Sequence, residues 1–161
     1  MEQIDIDSTD IKLLNALQTD ASLSNQALAA LAHISPPTCL RRIKRLKHAG
    51  LIEREIALLN PDKLASITGH GLTAIVEISL DQQGDEQLSA FEQRINADAA
   101  VQQCYRTSPG PDFVLIVHVP DMPAYAALSQ RLFTSDANVR NVKAFFSIKR
   151  SKFDPKVPLT Q

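Results

Sequence analysis

The chain has no tryptophan, six phenylalanines and two cysteines among its 161 residues. With so few aromatic side chains, a core must consist mainly of aliphatic residues. Cys39 and Cys104 lie far apart and form no CxxC pair, which excludes a disulfide framework and fits a reducing compartment. The longest apolar runs, such as residues 113–117, are too short to span a bilayer. The acidic N-terminus also lacks the basic-then-apolar order of a secretion signal, so we expect a cytoplasmic protein with no membrane partner.

Patterns that would support catalysis or hold a metal are also missing. The histidines have neither the spacing of a metal site nor nearby cysteines; they are His33, His48, His70 and His118. We expect His118, inside an apolar run, to be a satisfied core residue, and both cysteines to be packing residues. An enzyme is the competing class, because small-molecule enzyme domains share the fold predicted below. The sequence shows no paired acid and base and no phosphate-cradling glycine loop, so we predict no enzyme, no cofactor and no metal.

The formal net charge of −1 conceals an uneven distribution along the chain. Residues 1–34 hold five acidic side chains and one lysine, whereas residues 35–54 hold six cations and one glutamate. A concentrated basic face creates a local positive field whatever the total charge is. The distribution therefore indicates an anionic partner for residues 35–54.

Two short helices are predicted ahead of the basic stretch. Asp7 and Asp10 resemble a capping box, with Asp in place of the usual Glu, and begin the first helix. Its inward stripe is predicted to contain Ile11, Leu14 and Leu17 or Gln18, with Leu13 beside them. A second helix is predicted over residues 25–32, capped by Ser24. Its inward residues are predicted to be Leu28 and Leu31.

A third helix is predicted over the basic stretch. Ser35 can act as its N-cap, and two prolines follow in the first turn, where backbone N–H groups have no intrahelical partner. Gly50 suits the left-handed position that ends such a helix. At about 100° per residue, one stripe of this helix packs on the first two helices; it contains Cys39, Ile43 and Leu46. A second stripe faces outward and is mostly basic; it contains Thr38, Arg41, Arg42 and Arg45.

Residues 51–52 and 56–58 are predicted as two short strands that form a wing. The first 58 residues then make a winged helix-turn-helix domain, residues 1–58. Its third helix has the size that fits the major groove of double-stranded DNA, where arginines pair with guanine edges or with phosphates. We predict DNA contacts, with a phosphate anchor first and a wing contact last, from Ser35, Thr38, Arg41, Arg42, Arg45 and Arg54. A solvated amphipathic face is the alternative interpretation of the cationic run.

The remaining chain switches from a helical to a mixed pattern. Residues 59–71 are predicted as a linker, and residues 72–161 follow the order βαββαβ. The predicted strands cover residues 72–80, 101–107, 113–119 and 142–150; the predicted helices cover residues 85–97 and a segment opened by Pro123. This order is that of a ferredoxin-like sandwich, so the predicted fold class is α+β.

One face of the predicted sheet lacks a cover. Two helices can cover only one face of four strands, yet the third strand is apolar on both faces. Ile75 and Phe145 also lie opposite the main apolar stripes of their strands. An uncovered apolar face of this size would be a large exposed patch. We therefore predict a homodimer through sheet faces, which presents two recognition helices to a two-fold DNA site.

Taken in this order, the residues resemble the Lrp/AsnC (feast/famine) family of transcriptional regulators. The resemblance is carried by residues 7–54, the NPDKL connector, residues 104–119 and the NVKAFF motif at residues 141–146. It implies a winged helix-turn-helix followed by a RAM/ACT-like ligand-sensing domain. It further implies dimers that commonly assemble, often into octamers, and a response to an amino-acid effector bound between dimers.

The resemblance also implies a sensing loop between the second and third strands, typically Gly-x-x-Asp. Here Pro109 stands at the glycine position and the glycine follows it, which stiffens the loop and removes one N–H donor. The residues that could hold the carboxylate and ammonium groups of an effector are Thr107, Ser108, Gly110 and Asp112. The alternative is that Asp112 simply ends a turn before a strand, since Pro, Gly and Asp are common turn formers.

We therefore predict a sequence-specific DNA-binding transcriptional regulator of the Lrp/AsnC type, modulated by an amino-acid effector. An architectural DNA-binding protein without an effector is the alternative function. A sensor that has lost DNA binding is a third possibility, against which the basic face argues.

Overall fold

The computed structural model describes residues 5–159, which fall into two compact units. One unit contains residues 5–58 together with residues 152–159, and the other contains Leu59–Ser151. The C-terminal segment thus groups with the N-terminal helices, whereas the sequence predicted one domain over residues 72–161. Across the described residues, no helix combines the length and apolar character that a bilayer crossing requires.

Three helices form the N-terminal unit: α1 (Ser8–Thr19), α2 (Asn25–Ala32) and α3 (Pro36–His48). The predicted capping box begins α1, because the Asp10 N–H donates to Asp7 Oδ1 at 2.9 Å and the Asp7 N–H donates to Asp10 Oδ2 at 3.3 Å. Ser24 caps α2 as predicted, by accepting from the Ala27 N–H at 3.2 Å.

Both ends of α3 also lie where the sequence predicted them. Pro36 occupies the first position, where its missing N–H costs no intrahelical bond. Gly50 follows the helix with a φ of 73°, in the left-handed region. Its N–H donates to the Lys47 carbonyl at 3.0 Å and the Leu51 N–H donates to the Leu46 carbonyl at 3.1 Å, the paired bonds of a Schellman ending.

The core of this unit is small and aliphatic. Its buried members are Leu13, Leu28, Ala29, Ala32 and Cys39. Of the residues predicted on one side of α1, Leu17 packs against this core, and Ile11 and Leu14 are half-buried. The prediction that Leu31 of α2 faces inward is wrong, since 57% of its surface is exposed. The inner side of α1 also carries Asp10, one turn from the buried Leu13; Asp10 is fully buried and accepts from Arg42 and Arg45 of α3.

The predicted wing is absent from residues 51–60, which form neither helix nor strand. Strands of two or three residues make too few ladder bonds to pair alone, and residues 53–55 contain no turn former. Ile56 and Leu58 are exposed. Glu55 instead pairs with Lys47 at 2.8 Å, next to the end of α3.

The predicted linker contains a helix, α4 (Pro61–Thr68). Asn60 accepts from the Lys63 N–H at 3.2 Å and Pro61 takes the first position, so the cap signature N-P-x-K begins a helix rather than a connector. Gly69, with a φ of 77°, ends it.

The C-terminal unit is a four-stranded antiparallel sheet with two crossover helices. Its elements are β1 (Leu72–Leu80), α5 (Asp85–Asn96), β2 (Val101–Arg106), β3 (Phe113–Val119), α6 (Met122–Ser129) with a π-helical turn (Gln130–Thr134), and β4 (Val139–Phe146). The sheet order is β2-β3-β1-β4, as a ferredoxin-like sandwich requires.

β4 begins and ends earlier than the sequence predicted. It pairs with β1 from Val139 onward because the register shifts at Ser79 and Leu80, which brings Val139 opposite Leu80. Residues 147–150 lie outside the strand, and Ile148 is fully exposed.

One face of the sheet carries the helices and the main core. The buried residues there alternate along β1 and β3 and are joined by helix residues; the largest are Phe91, Phe113, Phe133, Ile78, Leu80, Ile95, Leu115 and Leu128. The Phe91 and Phe113 rings stack with centroids 4.7 Å apart, which fixes α5 over β3.

The opposite face is open in this unit. Ile75 of β1 lies between Ile116 of β3 and Phe145 of β4 in register. The Ile75 and Phe145 side chains expose 40% and 53% of their surface. On β2 this row meets Gln103, and the next row on the same face joins Glu77 of β1 to Val114 and Tyr105. The face is the one that the sequence predicted to lack a cover.

Candidate nucleic-acid interface and ligand-binding loop

The first turn of α3 presents two hydroxyl groups. Ser35 has the extended backbone of an N-cap, but its side chain makes no cap bond to a helix N–H. Its Oγ lies 2.8 Å from Thr38 Oγ1, so the two hydroxyls bond each other. Ser35 is exposed and Thr38 is half-buried. The pair lies where the N-terminus of α3 concentrates unpaired N–H groups and favours an anion.

The basic stripe of α3 is divided by one buried carboxylate. Asp10 of α1 exposes 0% of its surface and accepts from both Arg42 and Arg45. Arg42 Nη1 lies 3.0 Å from Asp10 Oδ1 and 2.7 Å from Asp7 Oδ2, while Arg45 Nη2 donates to Asp10 Oδ2. A carboxylate that is buried in this way must be paired, and the two guanidinium groups pair it.

The expectation that the whole stripe points unpaired into solvent is therefore wrong. The Arg42 side chain exposes only 25% of its surface, and that of Arg45 exposes 47%. Arg41 and Lys44, which neighbour them in sequence, are exposed. Sequence reasoning missed Asp10 as a partner, although an acid on the inward side of an amphipathic helix opposite a cationic helix would have indicated it.

The pairing shifts the pKa values of two groups. The Asp10 N–H, followed by the Arg42 guanidinium, holds the pKa of the Asp7 carboxyl below its ordinary value of 3.8. Hydrogen bonds to Asp10 and then Asp7 raise the pKa of Arg42 above its ordinary value. Both shifts favour the charged pair, so the contact between α1 and α3 is an ionic one at neutral pH.

Arg54 lies beyond the end of α3, outside any strand. Its side chain exposes 73% of its surface, and its Nε lies 3.9 Å from a carboxylate oxygen of the neighbouring Glu53. An exposed pair at this distance holds an arginine only weakly. Arg54 therefore remains accessible to an external anion, although the predicted wing does not hold it.

The loop between β2 and β3 uses two of its four predicted ligand residues internally. The Thr107 hydroxyl donates to the Pro111 carbonyl, and the Thr107 N–H donates to the Asp112 carbonyl at 2.9 Å. Asp112 Oδ2 accepts from the Leu80 N–H at 2.7 Å, at the end of β1. The structure thus supports the turn-ending role of Asp112. Ser108 and Gly110 are exposed, and Gly110 has a φ of 129°.

Histidine and cysteine side chains take no part in a metal cluster among residues 5–159. His118 is exposed on the open sheet face, with Nδ1 3.0 Å from Thr73 Oγ1, so the expectation of a core histidine is wrong. It alternates with inward residues of β3 and therefore points away from the helices. Cys39 is buried and Cys104 is half-buried, and burial raises the pKa of both thiols.

Comparison with known proteins identifies both units. Residues 6–47 match the AsnC-type helix-turn-helix domain, and residues 73–157 match the Lrp/AsnC ligand binding domain. The chain belongs to the Lrp/AsnC family of transcriptional regulators. This Lrp/AsnC protein is 32% identical to the leucine-responsive regulatory protein of Rhizobium meliloti over 150 residues, which cover 93% of this chain and 94% of that protein.

A second relative and a solved structure agree with this assignment. The DNA-binding transcriptional activator DecR of Escherichia coli is 32% identical over 154 residues, 96% of this chain and 99% of that protein. The crystal structure of an AsnC family transcriptional regulator from Agrobacterium tumefaciens superposes with a TM-score of 0.83 at 32% identity, and covers 95% of this chain and 97% of that one. The relatives are transcriptional regulators rather than enzymes, as the sequence predicted.

A further solved structure carries a ligand in its description. The Neisseria meningitidis regulator, described as a complex with L-methionine, superposes with a TM-score of 0.82 at 28% identity and covers 96% of this chain and 97% of that one. The likeness extends over both units of the Lrp/AsnC chain.

Proposed function

We propose that this Lrp/AsnC regulator binds double-stranded DNA through the exposed side of α3. Arg41 carries the proposal, because it is exposed while the neighbouring Arg42 is held by Asp7 and Asp10. Lys44 lies one turn further on and is also exposed. The hydroxyls of Ser35 and Thr38 contact a phosphate at the N-terminus of the helix.

Arg45, Arg54 and Arg42 have graded roles in this proposal. Arg45 is half-exposed and bonds Asp10 through one terminal nitrogen, which leaves other donors of its guanidinium for phosphate. Arg54, in the segment after α3, contacts the phosphate backbone of the DNA. Arg42 acts mainly by holding α3 against α1, and a DNA contact from it stays a prediction.

The DNA test uses duplexes selected from a random pool by the full-length protein. Each phosphate contact contributes about 0.9 to the slope of log K against log salt for B-DNA. We expect Arg41→Ala to lower that slope by about 0.9 per bound subunit. The matched control is Arg140→Ala, which removes an exposed cation from β4. An unchanged slope in Arg41→Ala would contradict the phosphate role of that residue.

The same measurement distinguishes a regulator from an architectural protein. A regulator binds its selected duplex more tightly than a scrambled duplex of the same composition at one salt concentration. Comparable affinity for both duplexes, unmoved by any amino acid, would favour the architectural alternative. Location in the cytoplasm follows from a chromosomal target.

We further infer that the sheet unit binds an amino-acid effector. The match of residues 73–157 to a ligand binding domain and the L-methionine complex of the Neisseria meningitidis regulator support this. Ser108 and the N–H of Gly110 are exposed and can bond a carboxylate, whereas Thr107 and Asp112 would first have to leave their internal partners. A thermal-shift screen of the twenty amino acids tests this, because a ligand that prefers the native state raises the melting temperature.

The open sheet face supports a homodimer. Ile75, Ile116 and Phe145 form an apolar row in the middle of the face, and a second copy of this face would cover it. A dimer supplies two copies of α3 to a two-fold DNA site. Further assembly of dimers, up to an octamer, is proposed by family likeness alone.

A further inference from the structure

Residues 152–159 form neither helix nor strand, yet they belong to the compact unit of α1, α2 and α3. One side chain joins them to that unit by a reciprocal pair of bonds. Gln18 of α1 donates from Nε2 to the Val157 carbonyl at 2.9 Å and accepts at Oε1 from the Val157 N–H at 2.9 Å. A side-chain amide thus pairs with a single peptide residue as one strand pairs with another.

The backbone around Val157 has few N–H donors. The segment 154–158 reads DPKVP, so Pro155 and Pro158 have no N–H. The Lys156 N–H donates to Asp154 Oδ1 at 3.2 Å within a local turn. The Val157 N–H, between the two prolines, donates to Gln18 Oε1. The register of the segment is fixed at one residue by this pattern.

The orientation of the Gln18 amide is set from within α1. Gln18 Nε2 also donates to Asn15 Oδ1 at 2.9 Å, one helical turn away. This bond places the nitrogen and the oxygen of the amide so that they match the carbonyl and the N–H of Val157. Gln18 therefore presents a prearranged donor and acceptor rather than a freely rotating group.

The contact at Val157 is made by its backbone N–H and carbonyl. The Val157 side chain is exposed. The prolines on either side restrict Asp154 and Val157 to extended backbone, which lowers the entropy lost when the segment docks. The segment is thus an extended, proline-flanked strap that Gln18 holds through the backbone of Val157.

We propose that Gln18 is the docking site of the chain's own C-terminal strap, residues 152–159. The chain enters the DNA-binding unit first at its N-terminus and a second time after Ser151, so the strap gives that unit a second connection to the last strand of the ligand-binding unit. A change at β4 then reaches the DNA-binding unit through the strap as well as through residues 59–71. This role in regulation rests on the proposed effector response; the docking itself does not.

Hydrogen exchange of the full-length protein tests the docking. The Val157 amide is protected by Gln18 Oε1, and Gln18→Ala removes that acceptor. We expect its exchange to become about tenfold faster in Gln18→Ala, with the amides of α1 unchanged. The control is Lys12→Ala, an exposed substitution in the same helix. Equal exchange of Val157 in all three proteins would overturn the proposal.

Limited trypsin digestion gives a second readout. Cleavage after Lys152 and Lys156 requires the strap to leave α1, so we expect these cuts to appear sooner in Gln18→Ala than in Lys12→Ala. The same cleavage rate in both variants would also contradict the docking.

A third experiment tests the regulatory role of the strap, with L-methionine and L-leucine as probes. The ratio of DNA affinities with and without the amino acid measures the coupling, and we expect Gln18→Ala to move this ratio toward one. A ratio that is the same in Gln18→Ala overturns the regulatory role of the strap. A ratio of one in the unsubstituted protein contradicts the effector proposal for these ligands and the regulatory role together, whereas exchange at Val157 still decides the docking.

Discussion

The Arg42 guanidinium of α3 lies 3.0 Å from the fully buried Asp10 carboxylate of α1. This contact joins the first helix of the DNA-binding unit to the helix that carries the cationic stripe. It removes Arg42 from the exposed face and also engages Arg45. Asp10, which lies outside the stripe, therefore determines which of its cations remain accessible to a partner.

Substitution of Asp10 tests that selection. In Asp10→Ala two guanidinium groups lose their shared partner, and we expect the free energy of unfolding to fall by about 2–3 kcal/mol, less than for a fully buried pair because both arginines reach solvent. Asp5→Asn is the control, since it removes an exposed acid of the same unit. Urea unfolding followed by circular dichroism measures the difference; equal midpoints for Asp10→Ala and the control would contradict the role of Asp10.

Asp7 makes a pH-dependent contribution. Its folded-state pKa lies below the ordinary value of 3.8, so its stabilisation is fully present above that pH and is lost as pH falls through the folded pKa. Asp7→Asn keeps an N-cap acceptor and removes the charge beside Arg42. We expect Asp7→Asn to melt at a lower temperature than the unsubstituted protein at pH 7, with the two melting temperatures converging as pH falls through the folded pKa of Asp7. A constant difference across that range would show that the charge is not the cause.

Substitution of Asp112 tests whether this residue ends a turn or binds the effector. Asp112→Ala leaves the Leu80 N–H without its carboxylate acceptor, and we expect a loss of about 1–3 kcal/mol in the free energy of unfolding. Ser108→Ala, in the same loop, removes an exposed hydroxyl and should leave stability unchanged. If Asp112→Ala were as stable as Ser108→Ala yet lost every amino-acid thermal shift, Asp112 would be a ligand residue and not a structural one.

The open sheet face gives a test of assembly. Phe145→Lys places a charge in the middle of the apolar row, which a second sheet face could cover only by burying it unpaired. We expect sedimentation at micromolar concentration to show a monomer for Phe145→Lys and a dimer or larger species for the unsubstituted protein. Ile148→Lys is the control, because Ile148 is fully exposed just beyond β4. A Phe145→Lys protein that stays dimeric would place the dimer contact elsewhere.

Local chemistry in the sequence predicted most of the fold. The Asp7–Asp10 capping box, Ser24, the prolines in the first turn of α3 and Gly50 each act within a few residues, so their effect does not depend on the rest of the chain. The bounds of β1 and β3 followed from alternation and apolar content in the same way. Local pattern failed to predict strand bounds that depend on pairing with another strand. The first residue of β4, for example, is set by a register shift in β1.

The candidate sites also combine features that short segments determine with contacts that only the tertiary structure determines. The sequence alone determined that this chain has a cationic third helix, two separate folding patterns and a sheet with an apolar second face, because composition and periodicity are properties of short segments. Only the tertiary structure decided which cations remain exposed, that Asp112 bonds Leu80, and that Val157 meets Gln18. Those contacts join residues more than thirty positions apart, and the partner of a charge or an N–H over that distance is fixed by packing rather than by its neighbours in sequence.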